Sequence, residues 1–96
     1  MLDLKFAPEA IKDLEKFFEY TLVSFGVIQA EKYQDEIFDA ISNIATNPEI
    51  GSIYYFKKGN YRKLNVNRHI VFYRITDVQC LVIRILHDRI DLKSRL

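Results

Sequence analysis

Between Arg68 and Asp91 the chain reads RHIVFYRITDVQCLVIRILHDRID, and few folds accept such a stretch. Ile70, Val71, Phe72, Tyr73 and Ile75, then Val78 to Ile85, supply the β-branched and aromatic residues that fill a pleated surface. The pattern predicts two long strands joined by a tight turn at Thr76 and Asp77. Residues two apart share a face, so Ile70 and Phe72 point one way while His69, Val71 and Tyr73 point the other. The second strand is almost continuously apolar, with Arg84 as the charged interruption. A central strand covered on both faces reads this way.

The preceding segments supply the cover. Leu2 to Phe6 alternates apolar and charged residues, a short strand with one wet face. Pro8 suits the first position of a helix, where its missing N–H leaves nothing unpaired, and Glu9 favours the positive helix end. Ala7 offers no capping oxygen, so a loose helix start is expected. Ile11, Leu14, Phe18, Leu22 and Phe25 form the expected buried stripe, with Lys12, Asp13, Glu15, Lys16 and Glu19 towards solvent. Gly26 interrupts the pattern, and a second helix is predicted from about Val27 to Thr46, buried through Ala30, Tyr33, Ile37, Ala40, Ile41 and Ile44. Asn47-Pro48 ends it. Two amphipathic helices one residue apart make an antiparallel hairpin.

Ser52 to Phe56 reads equally as a short strand or an extended loop, followed by a basic turn at Lys57-Lys58-Gly59-Asn60. Tyr61 to Val66 is a strand, and Val66-Asn67-Arg68 is a tight turn in which Asn67 tolerates positive φ. Residues after Asp91 are charged and read as a short mobile tail.

The 96 residues are expected to form one domain, 1–96, with a core of modest size. No apolar run approaches the ~18 residues of a membrane span, and folded-looking sequence begins at Met1 without a signal peptide, so a cytoplasmic protein is expected. Cys80 is the single cysteine and falls in an apolar strand, where an inert buried thiol is expected. Two His without matching Cys or carboxylate spacing give no metal site, and three glycines give no phosphate loop. No cofactor is expected. His69 reads as a structural histidine. Met1 to Gly51 carries four Lys against ten acidic residues, net −6, whereas Ser52 to Leu96 carries ten basic residues against three Asp, net +7. An acidic helical half and a basic sheet half suit an anionic partner surface or nucleic acid. Within the apolar strands an unpaired charge is costly. Arg74 is therefore expected to be paired and structural, and Arg84 and Arg89 exposed and available.

The order strand, helix, helix and three antiparallel strands is an α+β domain, β-α-α-β-β-β, with the helices on one face of a mainly antiparallel sheet. Across essentially its whole length the chain resembles the ParE branch of the RelE/ParE toxins of bacterial type II toxin–antitoxin modules. The resemblance rests on Ala7-Pro8-Glu9-Ala10 with Asp13-Leu14, and on Asn47-Pro48-Glu49-Ile50-Gly51. Its most specific part is Tyr61-Arg62-Lys63-Leu64, then Arg68 to Arg74, then Arg84 to Asp91.

The resemblance implies a toxin neutralised by a ParD-like antitoxin, whose C-terminal segment orders as it wraps the helices and sheet. It implies DNA gyrase as the target, poisoned by binding and not by chemistry. The residues expected to bind the target are Arg62, Arg68, Tyr73, Arg84, His87 and Arg89. The alternative is the RelE branch, which cleaves messenger RNA on the ribosome and needs cations around the phosphate and a proton-transfer group. Arg62, Arg84 and His87 would then be catalytic, with Arg62 and Arg84 side by side if the register allows and Lys57 and Lys58 nearby. Against this, the tail lacks the C-terminal tyrosine often found in RelE-type nucleases. A scaffold that has lost toxicity and only binds its antitoxin is the third possibility.

Overall fold

The structure, a computed structural model, describes residues 2–56 and 59–87. Strand β1 (Asp3–Phe6) is followed by helices α1 (Pro8–Phe25) and α2 (Val27–Thr46). A single 3-10 turn (Pro48–Ile50) leads to strands β2 (Ser52–Phe56), β3 (Gly59–Val66), β4 (His69–Ile75) and β5 (Gln79–His87). The strands form one sheet in the order β1-β5-β4-β3-β2. β1 runs parallel to β5 and every other pair is antiparallel. The segment left open between strand and loop is thus β2, an edge strand. Val78, expected to open the last strand, instead lies exposed in the turn before it.

Alternation along β4 places the two faces as expected. Val71 and Tyr73 enter the main core with Ile37, Ile41 and Ile44 of α2 and Val82 and Ile85 of β5. Ile70 and Phe72 pack on the opposite face with Leu86 and Tyr54. β4 is therefore buried on both sides. The turn from β3 to β4 holds Asn67 at φ 56°, the left-handed conformation that its side chain tolerates. The Asn67 amide also donates to the Glu36 carboxylate of α2.

α2 buries Ala30, Ile37, Ile41 and Ile44 as expected and Tyr33 and Ala40 in part, but α1 is rotated from its expected phase. Ala10 and Thr21 are fully buried, and Leu14, Phe17 and Phe18 partly so, whereas Ile11, Leu22 and Phe25 are exposed. Asp13, expected in solvent, faces the sheet. The bare Ala7 cap is present, yet this helix start is anchored: the Ala7 N–H donates to the Val82 carbonyl at 2.8 Å.

Gly26 alone separates the two helices, at φ 92° and ψ 172°. That region is essentially closed to residues with a Cβ. A Cβ there would meet nothing within 4 Å, so any cost of adding one is backbone strain alone. Gly26→Ala should therefore lower unfolding free energy by about 1–3 kcal/mol without repacking the core. Urea denaturation checks this, and an unchanged midpoint would mean that the helix–helix corner can relax freely.

Candidate functional site

The residues singled out for target binding or catalysis are spread over three parts of the fold. Arg84 lies in a β-bulge of β5: Phe72 pairs with Arg84 and Tyr73 with Val82, leaving Ile83 without a partner on β4. Bulges bend a strand and re-aim its side chains. β1 ends its pairing at Phe6 opposite Val82, so the flank of β5 beyond that point has no strand beside it. Asp13 of α1 fills the place. Its Oδ2 accepts from the Ile85 N–H at 3.0 Å and from Arg84 Nε at 2.8 Å, and its Oδ1 accepts from Arg84 Nη2 at 2.9 Å. Glu9 adds a carboxylate 3.4 Å from Nη1. Arg84, expected to be exposed and available, is instead a two-pronged anchor between helix and strand, with its side chain 21% exposed. Arg74 shows the reverse. It is exposed, and no ion pair to it is seen among the described residues.

Arg62 and Tyr73 are opposite one another on β3 and β4 and belong to a second anchor. Tyr73 is completely buried. Its hydroxyl accepts from the Gly51 N–H at 2.9 Å and donates to the Pro48 carbonyl at 2.7 Å. Arg62 Nη1 donates to the Gly51 carbonyl at 2.7 Å. Burial raises the Tyr73 pKa, offset in part by the Gly51 N–H and by the Arg62 guanidinium. Gly51 is required by space: a Cβ there would sit 2.5 Å from the Tyr73 hydroxyl and 2.8 Å from the Lys63 carbonyl. Tyr73 cannot touch a target in this arrangement, because its hydroxyl is spent on the loop between α2 and β2.

His87 closes a third group. Its ring lies 5.5 Å from that of His69, which stands edge-on to Phe17 at 3.8 Å and beside Tyr33 at 6.5 Å. His69 is buried there as an aromatic-cluster residue of the interior. Arg68 is exposed in the β3–β4 turn. Arg89, Lys57 and Lys58 lie outside the described residues. β4 runs between β3 and β5, so Arg62 and Arg84 are two strands apart, roughly 10 Å between backbones, and do not form a side-by-side pair.

A feature not read from the residues is the groove between the helices. A cavity of about 560 Å³ is lined by Phe6, Leu14, Phe18, Thr21, Tyr33 and Phe38 among others, nearly all apolar. The rotated phase of α1 creates it, since side chains assigned to the core line an open cleft instead. Among the described residues no group of three His, Cys, Asp or Glu could hold a metal, and no helix is long and apolar enough to cross a membrane. Burial raises the Cys80 thiol pKa, consistent with an inert side chain.

Residues 4–92 match the family model described as ParE toxin of type II toxin-antitoxin system, parDE. The chain is 38% identical over 91 residues to Toxin ParE1 of Mycobacterium tuberculosis strain H37Rv, spanning 94% of this chain and 93% of that protein. It is 30% identical over 96 residues to Toxin ParE1 of Caulobacter vibrioides, spanning 100% and 99%. Its fold is similar to a structure described as the chromosomal ParDE TA system from P. aeruginosa, with a TM-score of 0.77 at 19% identity over 91% of this chain and 96% of that one. It is also similar to the YoeB dimer from Staphylococcus aureus, with a TM-score of 0.61 at 19% identity over 86% and 92%.

Two predictions test the anchors. Asp13→Ala strips the carboxylate from a half-buried guanidinium and an acceptor from the Ile85 N–H. It should cost about 2–4 kcal/mol, more than Arg84→Ala, which leaves the N–H bond intact. Equal costs in chemical denaturation would show that the Ile85 bond contributes nothing. For Tyr73, the folded pKa is raised above the ordinary value of 10.0. Its stabilising effect is complete below that pH and lost as pH rises through the folded value. Wild-type stability should therefore fall more steeply above pH 10 than that of Tyr73→Phe. Parallel curves would mean that another group governs alkaline unfolding.

Proposed function

Because this chain belongs to the ParE toxin family of type II toxin–antitoxin systems, we propose that it arrests growth by binding DNA gyrase, in the bacterial cytoplasm. A protein antitoxin is the partner of such a toxin, and we take the one here to be ParD-like. The observation that carries the binding mode is the engagement of Arg62 and Arg84, two of the three candidate catalytic side chains, in contacts within the fold. Cleaving RNA needs a cation at the phosphate and a proton-transfer group within reach of one bond. Here Arg84 is neutralised by Asp13 and turned towards α1, while Arg62 is held by Gly51. Both guanidiniums are thus engaged within the framework and not offered to a phosphate. Among the described residues, Arg68 and Arg74 are the exposed arginines that remain for an anionic target, with Lys63 half-buried beside the Tyr54 ring at 5.4 Å.

The antitoxin is assigned to the interhelical groove. Its apolar side chains would order in the cleft while an acidic segment meets the basic strands. Binding should weaken as salt rises, because exposed charges are screened within about 10 Å at 0.1 M. Salt-independent affinity in calorimetry would leave apolar burial as the sole attraction.

The deciding experiment adds the purified free protein to a gyrase supercoiling reaction and, separately, to a translating extract. Inhibited supercoiling with trapped cleaved DNA and intact message is the expected result. Cut message with unaffected gyrase would establish the ribonuclease alternative instead, and silence in both an inactive or differently directed toxin.

A further inference from the structure

The corner where the two helices meet has a composition unlike the rest of the helical half. From Tyr20 to Ala30 the sequence YTLVSFGVIQA contains no charged residue, although the surrounding helix faces are rich in Lys, Asp and Glu. Its large apolar side chains point outward. Val23 and Ile28 are each 82% exposed and Phe25 is 64% exposed, with Tyr20, Leu22 and Val27 also on the surface. All six lie within six residues of Gly26, at the end of the hairpin. At those exposures they leave roughly 600 Å² of surface, the upper end of what monomers carry without a partner.

We propose that this helical corner is a self-association surface, on which a second copy of the chain docks through the same patch. Charge and area both favour that occupant. Each helix leaves the patch through a pair of opposite charges, Lys16 with Glu19 on α1 and Glu31 with Lys32 on α2, all exposed. The rim is therefore neutral, and two copies related by a twofold axis can set Lys against Glu instead of like against like. An acidic protein segment finds no cation inside the patch. An anionic lipid surface would call for a basic rim, which is absent. Two patches meeting face to face bury on the order of 1,200 Å², the lower end of specific interfaces, which predicts a reversible dimer and not a permanent one. The apolar side chains at its centre carry the affinity, since a few well-buried residues dominate such contacts.

The test uses the full-length chain, freed of antitoxin and refolded, in sedimentation equilibrium up to about 100 μM. Wild type should show a concentration-dependent monomer–dimer equilibrium. Val23→Lys combined with Ile28→Lys should weaken the dimer more than about tenfold. At dilutions where both proteins are monomeric, the melting temperature should not change, because both side chains then lie in solvent. Ile53→Lys, a change to an exposed residue of the edge strand β2, should leave the dimer intact. A wild-type monomer throughout would overturn the proposal. So would a double variant that dimerises like wild type, or a corner that matters only for binding the antitoxin or anionic vesicles.

Discussion

The carboxylate of Asp13 joins the helical layer to the sheet at the point where the ladder runs out. Beyond Val82, β5 has lost its neighbour β1, and a bulge at Ile83 has disturbed its pairing with β4. An interior strand flank with an open N–H is costly, and it also invites foreign strands. One side chain answers both problems by accepting the Ile85 N–H and holding Arg84 in two-pronged geometry. The rotation of α1 follows. To bring Asp13 to the sheet, the helix must also turn Ala10, Leu14, Phe17 and Thr21 inward. Ile11, Leu22 and Phe25 are then carried outward. Leu22 and Phe25 reach the apolar corner in this way, where Val27 and Ile28 of α2 join them.

The second anchor works at the opposite end of the sheet. Tyr73 and Arg62 together use both the N–H and the C=O of Gly51, which ties the loop after α2 to the middle of the sheet. Cations that would suit phosphate chemistry are in this way built into the framework. Arg62, Tyr73 and Arg84 are thus engaged in holding helices, loop and sheet together.

Much of this is legible in the sequence. The two faces of β4 depend only on alternation, the helix ends on Pro8, Gly26 and Pro48, and the β3–β4 turn on Asn67. The family likeness rested on whole motifs and so did not depend on single roles. What could not be read was anything decided by a long-range partner. Arg74 and Arg84 look alike in an apolar strand; only the bulge and Asp13, 71 residues away from Arg84, distinguish them. Tyr73 and the other tyrosines look equally suited to a binding face until Pro48 and Gly51 claim its hydroxyl. The phase of α1 was misread because its apolar residues occupy two sides of the helix. The large ones dominate a hydrophobicity count, whereas small Ala10 and Thr21 are the ones fully buried.

The pairing of β1 with β5 also sets an order of events for the nascent chain. Asp3 finds its partner at Gln79, and Asp13 finds the Ile85 amide 72 residues later in the chain. Contacts so distant in sequence close slowly, since the loop entropy must be overcome before they can form. Helices α1 and α2 are complete long before, with their sheet-facing side chains still uncovered. During synthesis the ribosome therefore holds an unfinished molecule until β5 has left the exit tunnel. The surfaces that depend on the sheet thus close only once β5 has been made, later than those carried by the helices alone.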